Sequence, residues 1–293
     1  MDVVDAQVHL GPGQIDTTIG AMDALGIRGV VIDEFWGRQP YGDPRFFEPG
    51  FALGNGAWRS LSPTAELASM LHPERFTSVV RVDRRDPELA SVVRRVRDTP
   101  HSRALRALPT WTAEEVSAFR SGAYEEIFGL AQEAGLPVFV HVPGYVELLP
   151  PYLEQFPQVS VIVDHCGMAQ PGLSIGRSDS EQERVESPHY FAEVLRLADF
   201  PNVALKWSHE QIAFGTVAYP FAESRPHLRE AVEAFGADRI LWASDKSVLP
   251  FTWSDILYAV RDDPGLTAEE RAAILGGTAR RLLDWHPDPA VTS

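Results

Sequence analysis

Only one cysteine, Cys166, stands in the 293-residue sequence, so no intrachain disulfide can form and a reducing, cytoplasmic setting is the expectation. No apolar run approaches the roughly 18–20 residues that a membrane span needs. The opening Met1-Asp2-Val3-Val4-Asp5 has no basic segment leading into an apolar one, so no secretory signal is expected. Positive charge is scarce as well: 26 Lys and Arg face 41 Asp and Glu, a formal net charge of −15. That disfavours nucleic acid and anionic membrane surfaces as partners, since both need clustered cations. It leaves room for a small-molecule substrate in a locally basic pocket, and it is compatible with a homo-oligomer. Repeats, low-complexity tracts and a second-domain boundary are also missing.

What is present is a regular alternation. Short apolar, β-branched runs occur at Val3–Leu10, Gly29–Asp33, Thr77–Val82, Ala104–Leu108, Pro137–Val142, Val159–Cys166, Val203–Ser208 and Ile240–Asp245. Several are continuous rather than alternating, as in parallel strands covered on both faces. Eight such runs separated by helix-like stretches predict an α/β fold, a (β/α)8 TIM barrel filling residues 1–293 as one domain. A doubly wound sheet with extra strands is the structural rival.

Helix signals fit the alternation. Thr112-Ala-Glu-Glu115 and Thr267-Ala-Glu-Glu270 have capping-box spacing, in which a hydroxyl and a carboxylate satisfy free N–H groups of the first turn. Ser62-Pro63 predicts a capping serine before proline at the first helical position. Glu125–Ala134 followed by Gly135 predicts a glycine-capped helix. Gly276-Gly277 could break the last helix, 269–285, in two. Two long loops follow strands. One, from about Glu34 to Ser60, carries Trp36, Tyr41, Phe46, Phe47, Phe51 and Trp58; the other, from about Met168 to Ser187, is polar. Both belong on the C-terminal barrel face, where active sites are built, and the aromatic loop suits a substrate cover.

Polar residues with chemistry to offer gather at the strand ends. Gln7 and His9 share one face of the first strand, because strand side chains alternate. His141 lies near the end of the fifth run, His165 ends the sixth run's Val161-Ile-Val-Asp-His165, and Asp245 ends the eighth. Imidazole and carboxylate are ligands that a borderline metal such as zinc accepts, with manganese as the alternative. A single divalent metal would lower the pKa of a bound water and polarise a carbonyl, and Asp245 is placed to take the water's proton. Trp36 and Arg81 are candidate substrate contacts, with packing or a salt bridge as the alternative. Lys206 could bind a substrate carboxylate or pair with a barrel acid. Asp164 reads as a buried structural carboxylate, Cys166 as core, and His209 as a further site residue.

Asp5-Ala-Gln-Val-His9, His141 after Ala-Gly-Leu-Pro, Val-Asp-His165-Cys-Gly, Asn202-Val-Ala-Leu-Lys206-Trp-Ser208 and Ala243-Ser-Asp245 together resemble the amidohydrolase superfamily. More narrowly, the chain is similar to its amidohydrolase-related branch of lactonases and decarboxylases, through Gly277-Thr-Ala-Arg-Arg-Leu-Leu283. The resemblance implies a mononuclear site with metal ligands at Gln7, His9, His141 and Asp245 and a catalytic His165. It implies hydrolysis of a small lactone or related cyclic ester or amide, with non-oxidative decarboxylation as the alternative. Gln7 departs from the usual histidine and is a weaker, neutral ligand, which keeps open a metal-free form and a non-catalytic ligand-binding barrel. Lys246 after Asp245 is a second departure and could bring positive charge to the site.

Overall fold

The computed structural model describes residues 1–36, 49–169, 179–216 and 218–286. Eight strands form one sheet: β1 Val3–Val8, β2 Ile27–Ile32, β3 Phe76–Arg81, β4 Ser102–Ala107, β5 Val138–Val140, β6 Val161–Val163, β7 Val203–Trp207 and β8 Ile240–Trp242. They pair in sequence order, every pair parallel, with helices in the connections. The expected (β/α)8 barrel is what forms. Its seam is joined by the Asp245 N–H donating to the Gln7 carbonyl over 3.1 Å. The Asp5 carboxylate sits across that seam and accepts from the backbone N–H groups of Gln7 (3.1 Å) and Ser244 (2.9 Å) and from the Trp253 indole (2.7 Å). Among the described residues no helix is long and apolar enough to cross a membrane.

The barrel interior is layered. Val31, Val79, Ala104, Phe139, Ile162, Ala204 and Ala243 form an apolar floor, one from each of β2–β7 and one just past β8. Val30, Val80, Leu105, Val138, Val161 and Leu205 belong to the other cluster, under the helices. Strand side chains repeat every two residues, so two residues above the floor come Asp33, Arg81, Arg106, His141, Asp164, Lys206 and Asp245. This second layer is polar throughout, and all of it is buried except the partly buried Arg81. In β1 the register shifts between Asp5 and Val8, which lets Gln7 and His9 join this layer although Val4 and Ala6 already supply the floor.

The helices follow the local chemistry with three differences. Thr267 makes the full capping box with Glu270, and Gly135 ends its helix at φ 67°, a left-handed conformation that glycine adopts without a Cβ clash. Thr112 accepts from Glu115 N, but the Glu115 carboxylate takes Arg84 and the Tyr124 hydroxyl. Ser62 does not cap with its side chain. Glu34 does so from beyond β2, accepting from Thr64 N (3.1 Å) and Ala65 N (2.8 Å); a carboxylate also complements the helix dipole there. Gly276-Gly277 does not break the last helix but lies in a π-helical turn, Ala273–Gly277. Gly276 presses on the backbone at Asp2, where a Cβ would overlap the carbonyl oxygen.

Candidate active site

The mouth of the barrel is built on Asp245, which is 2% exposed. Its Oδ1 lies 3.0 Å from His9 Nε2. Its Oδ2 lies 2.8 Å from His209 Nε2 and 3.8 Å from His165 Nε2, and it accepts from Gln7 Nε2 at 3.1 Å. His165, His209 and Asp245 each offer a ligand atom within 4.8 Å of the other two. The His165 and His209 rings stack with centroids 4.0 Å apart, and the His165 and Ser208 side chains meet at 2.9 Å through Nδ1 and Oγ.

Backbone conformation brings these three residues together. His165 (φ 52°), His209 (φ 58°) and Asp245 (φ 45°) all adopt the left-handed region, which non-glycine residues enter rarely and in which strained residues cluster at functional sites. Each stands two or three residues past its strand. Strict alternation would turn His165 outward, because Asp164 beside it points in; the left-handed turn brings its ring back over the mouth. The expected strands through Cys166 and Asp245 therefore end earlier than their apolar runs, at Val163 and Trp242.

Beneath lies a chain of buried charge. Arg81 grips Asp33 with two bonds of 2.7 Å. Arg106 bridges Asp33 and Asp164, reaching Asp164 at 2.9 and 2.7 Å. Lys206 Nζ lies 2.6 Å from Asp164 Oδ1 and donates to the Gln7 carbonyl. Burial alone would raise the Asp33 and Asp164 carboxyls, but Arg106 beside both, with Arg81 on Asp33 and Lys206 on Asp164, holds them below the usual range. Burial would likewise raise Asp245, and the neighbouring His9 together with the hydrogen bond from His209 carries it well below. Burial pushes the Lys206 ammonium down, with Asp164 opposing. His165 falls well below the ordinary imidazole value, and His141 is pushed down to about 3, in both cases chiefly by burial.

The candidates from sequence thus separate. Gln7, His9, His165, Lys206, His209 and Asp245 meet at one place. His141 stands beside them, edge-on to His165 (centroids 5.5 Å) and Trp111 (5.7 Å), and its Nδ1 has no hydrogen-bond partner among the described residues. Arg81 and Lys206 are engaged with barrel acids, the salt-bridge alternative in each case. Asp164 is the buried structural carboxylate expected. Lys246, half-buried, holds its ammonium over the Trp253 ring, 4.8 Å from the centroid. Trp36 is exposed on the rim and donates to Glu34 Oε1 at 2.7 Å. Phe51 and Trp58 lie on a short antiparallel hairpin, whereas Tyr41, Phe46, Phe47 and the centre of the polar loop, 170–178, lie outside the described residues. Asp33 and Arg106 were not anticipated; the signal for both was their place two residues beyond Val31 and Ala104.

His9 is suited to hold a metal. Its Nδ1 lies 2.8 Å from the Asp33 backbone oxygen and donates to it, which leaves the Nε2 lone pair facing Asp245; such an outer bond commonly fixes a ligating imidazole. Gln7 is not suited in the same way: its carbonyl accepts from Lys206 and its amide nitrogen donates to Asp245.

Comparison with known proteins agrees with this architecture. A family model for amidohydrolases matches residues 64–285. A stretch of 106 residues is 27% identical to L-fucono-1,5-lactonase of Burkholderia ambifaria, covering 35% of this chain and 31% of that enzyme. An amidohydrolase from Burkholderia multivorans with bound zinc superposes with a TM-score of 0.68 at 19% identity, over 98% of this chain and 100% of that one. A dihydroxybenzoic acid decarboxylase from Polaromonas sp. JS666, with bound manganese and 2-nitroresorcinol, superposes with a TM-score of 0.61 at 12% identity, over 100% and 99%.

Proposed function

Because this chain belongs to the amidohydrolase family, we propose that it hydrolyses a small lactone or related cyclic ester at one divalent metal held on Asp245. The observation that carries this reading is a single buried carboxylate with imidazole nitrogens of His9 and His209 within 3.0 Å. The stretch similar to L-fucono-1,5-lactonase supports the choice of a lactone. Zinc or manganese suits a donor set of imidazole and carboxylate. When bound, the metal polarises the ester carbonyl and makes water a stronger nucleophile.

The protein's own part follows from the geometry. Asp245 stays ionised, so it can hold the cation and accept the proton of the attacking water. His165 is neutral at working pH, since burial disfavours its charged form. Its Nε2, 3.8 Å from Asp245 Oδ2, can take that proton on and return it to the ring oxygen as the ring opens. Ser208 fixes the ring for this transfer. Gln7 and Lys206 hold the Asp245 carboxylate in position from below. Trp36 on the rim covers an apolar part of the substrate.

A panel of sugar lactones and aromatic acids, with products identified by mass, tests the proposal. Ring-opened hydroxy acids are expected. Carbon dioxide from an aromatic acid, with every lactone inert, would assign the site to decarboxylation instead.

A further inference from the structure

We propose that His209, beyond β7, is a ligand of the metal and takes the place that Gln7 leaves on the first strand. The inference rests on the metal-dependent reading above. In the amidohydrolase pattern the residue at Gln7 is a metal-binding histidine, yet Gln7 has both ends of its amide engaged: the carbonyl with Lys206, the nitrogen with Asp245. A divalent ion on that carbonyl would sit beside a buried ammonium, and cation–cation repulsion is strong away from water.

His209 has what Gln7 lacks. Its Nε2 lies 2.8 Å from Asp245 Oδ2, close to the spacing of roughly 3 Å between two atoms that share one zinc ion at about 2 Å each. His165, His209 and Asp245 are the group among the described residues whose ligand atoms all lie within 4.8 Å of one another. His209 is 4% exposed, its ring stacks on His165, and its Nδ1 has no hydrogen-bond partner among the described residues, so the Nε2 edge that faces Asp245 is its polar contact at the mouth. The residue holds a left-handed backbone at φ 58°, the same device that delivers His165 and Asp245 from the two flanking strands. Three neighbouring strands thus end in one local geometry aimed at one point. Gln7 becomes a positioning residue, orienting Oδ2 of Asp245 and separating the Lys206 ammonium from the ion.

The test is zinc binding by the full chain, measured by competition with a chromophoric chelator, together with the ion's position by anomalous diffraction from zinc-loaded crystals. In the wild-type protein the ion should lie about 2 Å from His209 Nε2 and beyond bonding reach of Gln7 Oε1. His209→Ala should weaken zinc binding by more than about 100-fold, and Gln7→Ala by less, within the roughly 10–100-fold usual for a residue outside the coordination sphere. If His209→Ala does not fold, as judged by circular dichroism, His209→Gln and the wild-type ion position decide. Wild-type zinc affinity in a folded His209→Ala, or an ion bonded to Gln7 Oε1, overturns the assignment while leaving metal dependence intact. A wild-type protein that takes up no zinc overturns both.

Discussion

The Gln7 side-chain nitrogen donates to Asp245 Oδ2 over 3.1 Å, tying the first strand of the barrel to the residue that follows the eighth. Through the Gln7 carbonyl the link continues to Lys206, and from there through Asp164, Arg106 and Asp33 to Arg81. The site therefore stands on a layer of alternating buried charge, in which each ion is partnered by the next.

Removing one member should expose the cost of burying the rest. Lys206→Met takes away the ammonium and leaves Asp164 with Arg106 alone. Breaking a buried pair in this way typically costs about 3–5 kcal/mol, and urea unfolding should show a loss of that order. A loss below about 1 kcal/mol would mean that Arg106 suffices for Asp164.

Glu34 and Ser62 make a matched pair of capping variants. Glu34→Ala removes the acceptor for Thr64 N and Ala65 N and should cost about 1 kcal/mol, the usual value of an N-terminal cap. It also frees the Trp36 indole. Ser62→Ala should be nearly neutral, since its hydroxyl makes no capping bond. Thermal melting of both variants checks the order, and a larger loss for Ser62→Ala would reverse it.

Asp5 gives stability a pH dependence of defined sign. Burial raises its folded-state pKa to about 6 from 3.8, with the hydrogen bonds from Ser244, Gln7 and Trp253 opposing. Between those values the unfolded chain has lost the proton that the folded chain keeps. The Asp5 contribution is therefore fully present below about pH 4 and declines until pH 6, by at most about 1.4 kcal/mol per pH unit. Asp5→Asn should remove that decline, making the plot of unfolding free energy against pH less negative in slope over this window. Equal slopes in the two proteins would show that Asp5 does not titrate there.

Asp245→Asn keeps size and one carbonyl oxygen but loses charge and basicity. Turnover should fall by at least about 10²–10⁴-fold, the usual range for losing a general base, with bound metal reduced and the melting temperature little changed. His165→Ala should lose rate comparably while keeping more of its metal. Near-normal rates for Asp245→Asn would remove it from the chemistry, and unfolding of that variant would make it a structural carboxylate.

Much of this site could be read from residue order alone. The eight apolar runs mark the strands because parallel strands covered on both faces have little choice of side chain, and Gln7, His9, His165 and Asp245 were visible as polar residues at their ends. Asp33 and Arg106 were legible in principle, two residues past inward-facing Val31 and Ala104, but they look like ordinary surface charge until the barrel closes over them. The left-handed turns at His165, His209 and Asp245 leave no mark in sequence, since no glycine announces them, so the close approach of His209 to Asp245 could not be read. Glu34 capping a helix some 30 residues away is a tertiary contact that local patterns cannot contain.

The most direct test of the central claim is the rate of lactone ring opening, followed by proton release, in one preparation before chelation, after chelation and after restoring zinc or manganese. The account predicts turnover that falls to background without metal and returns with it, one hydroxy acid formed per proton released. Undiminished turnover in protein shown to be metal-free would contradict it.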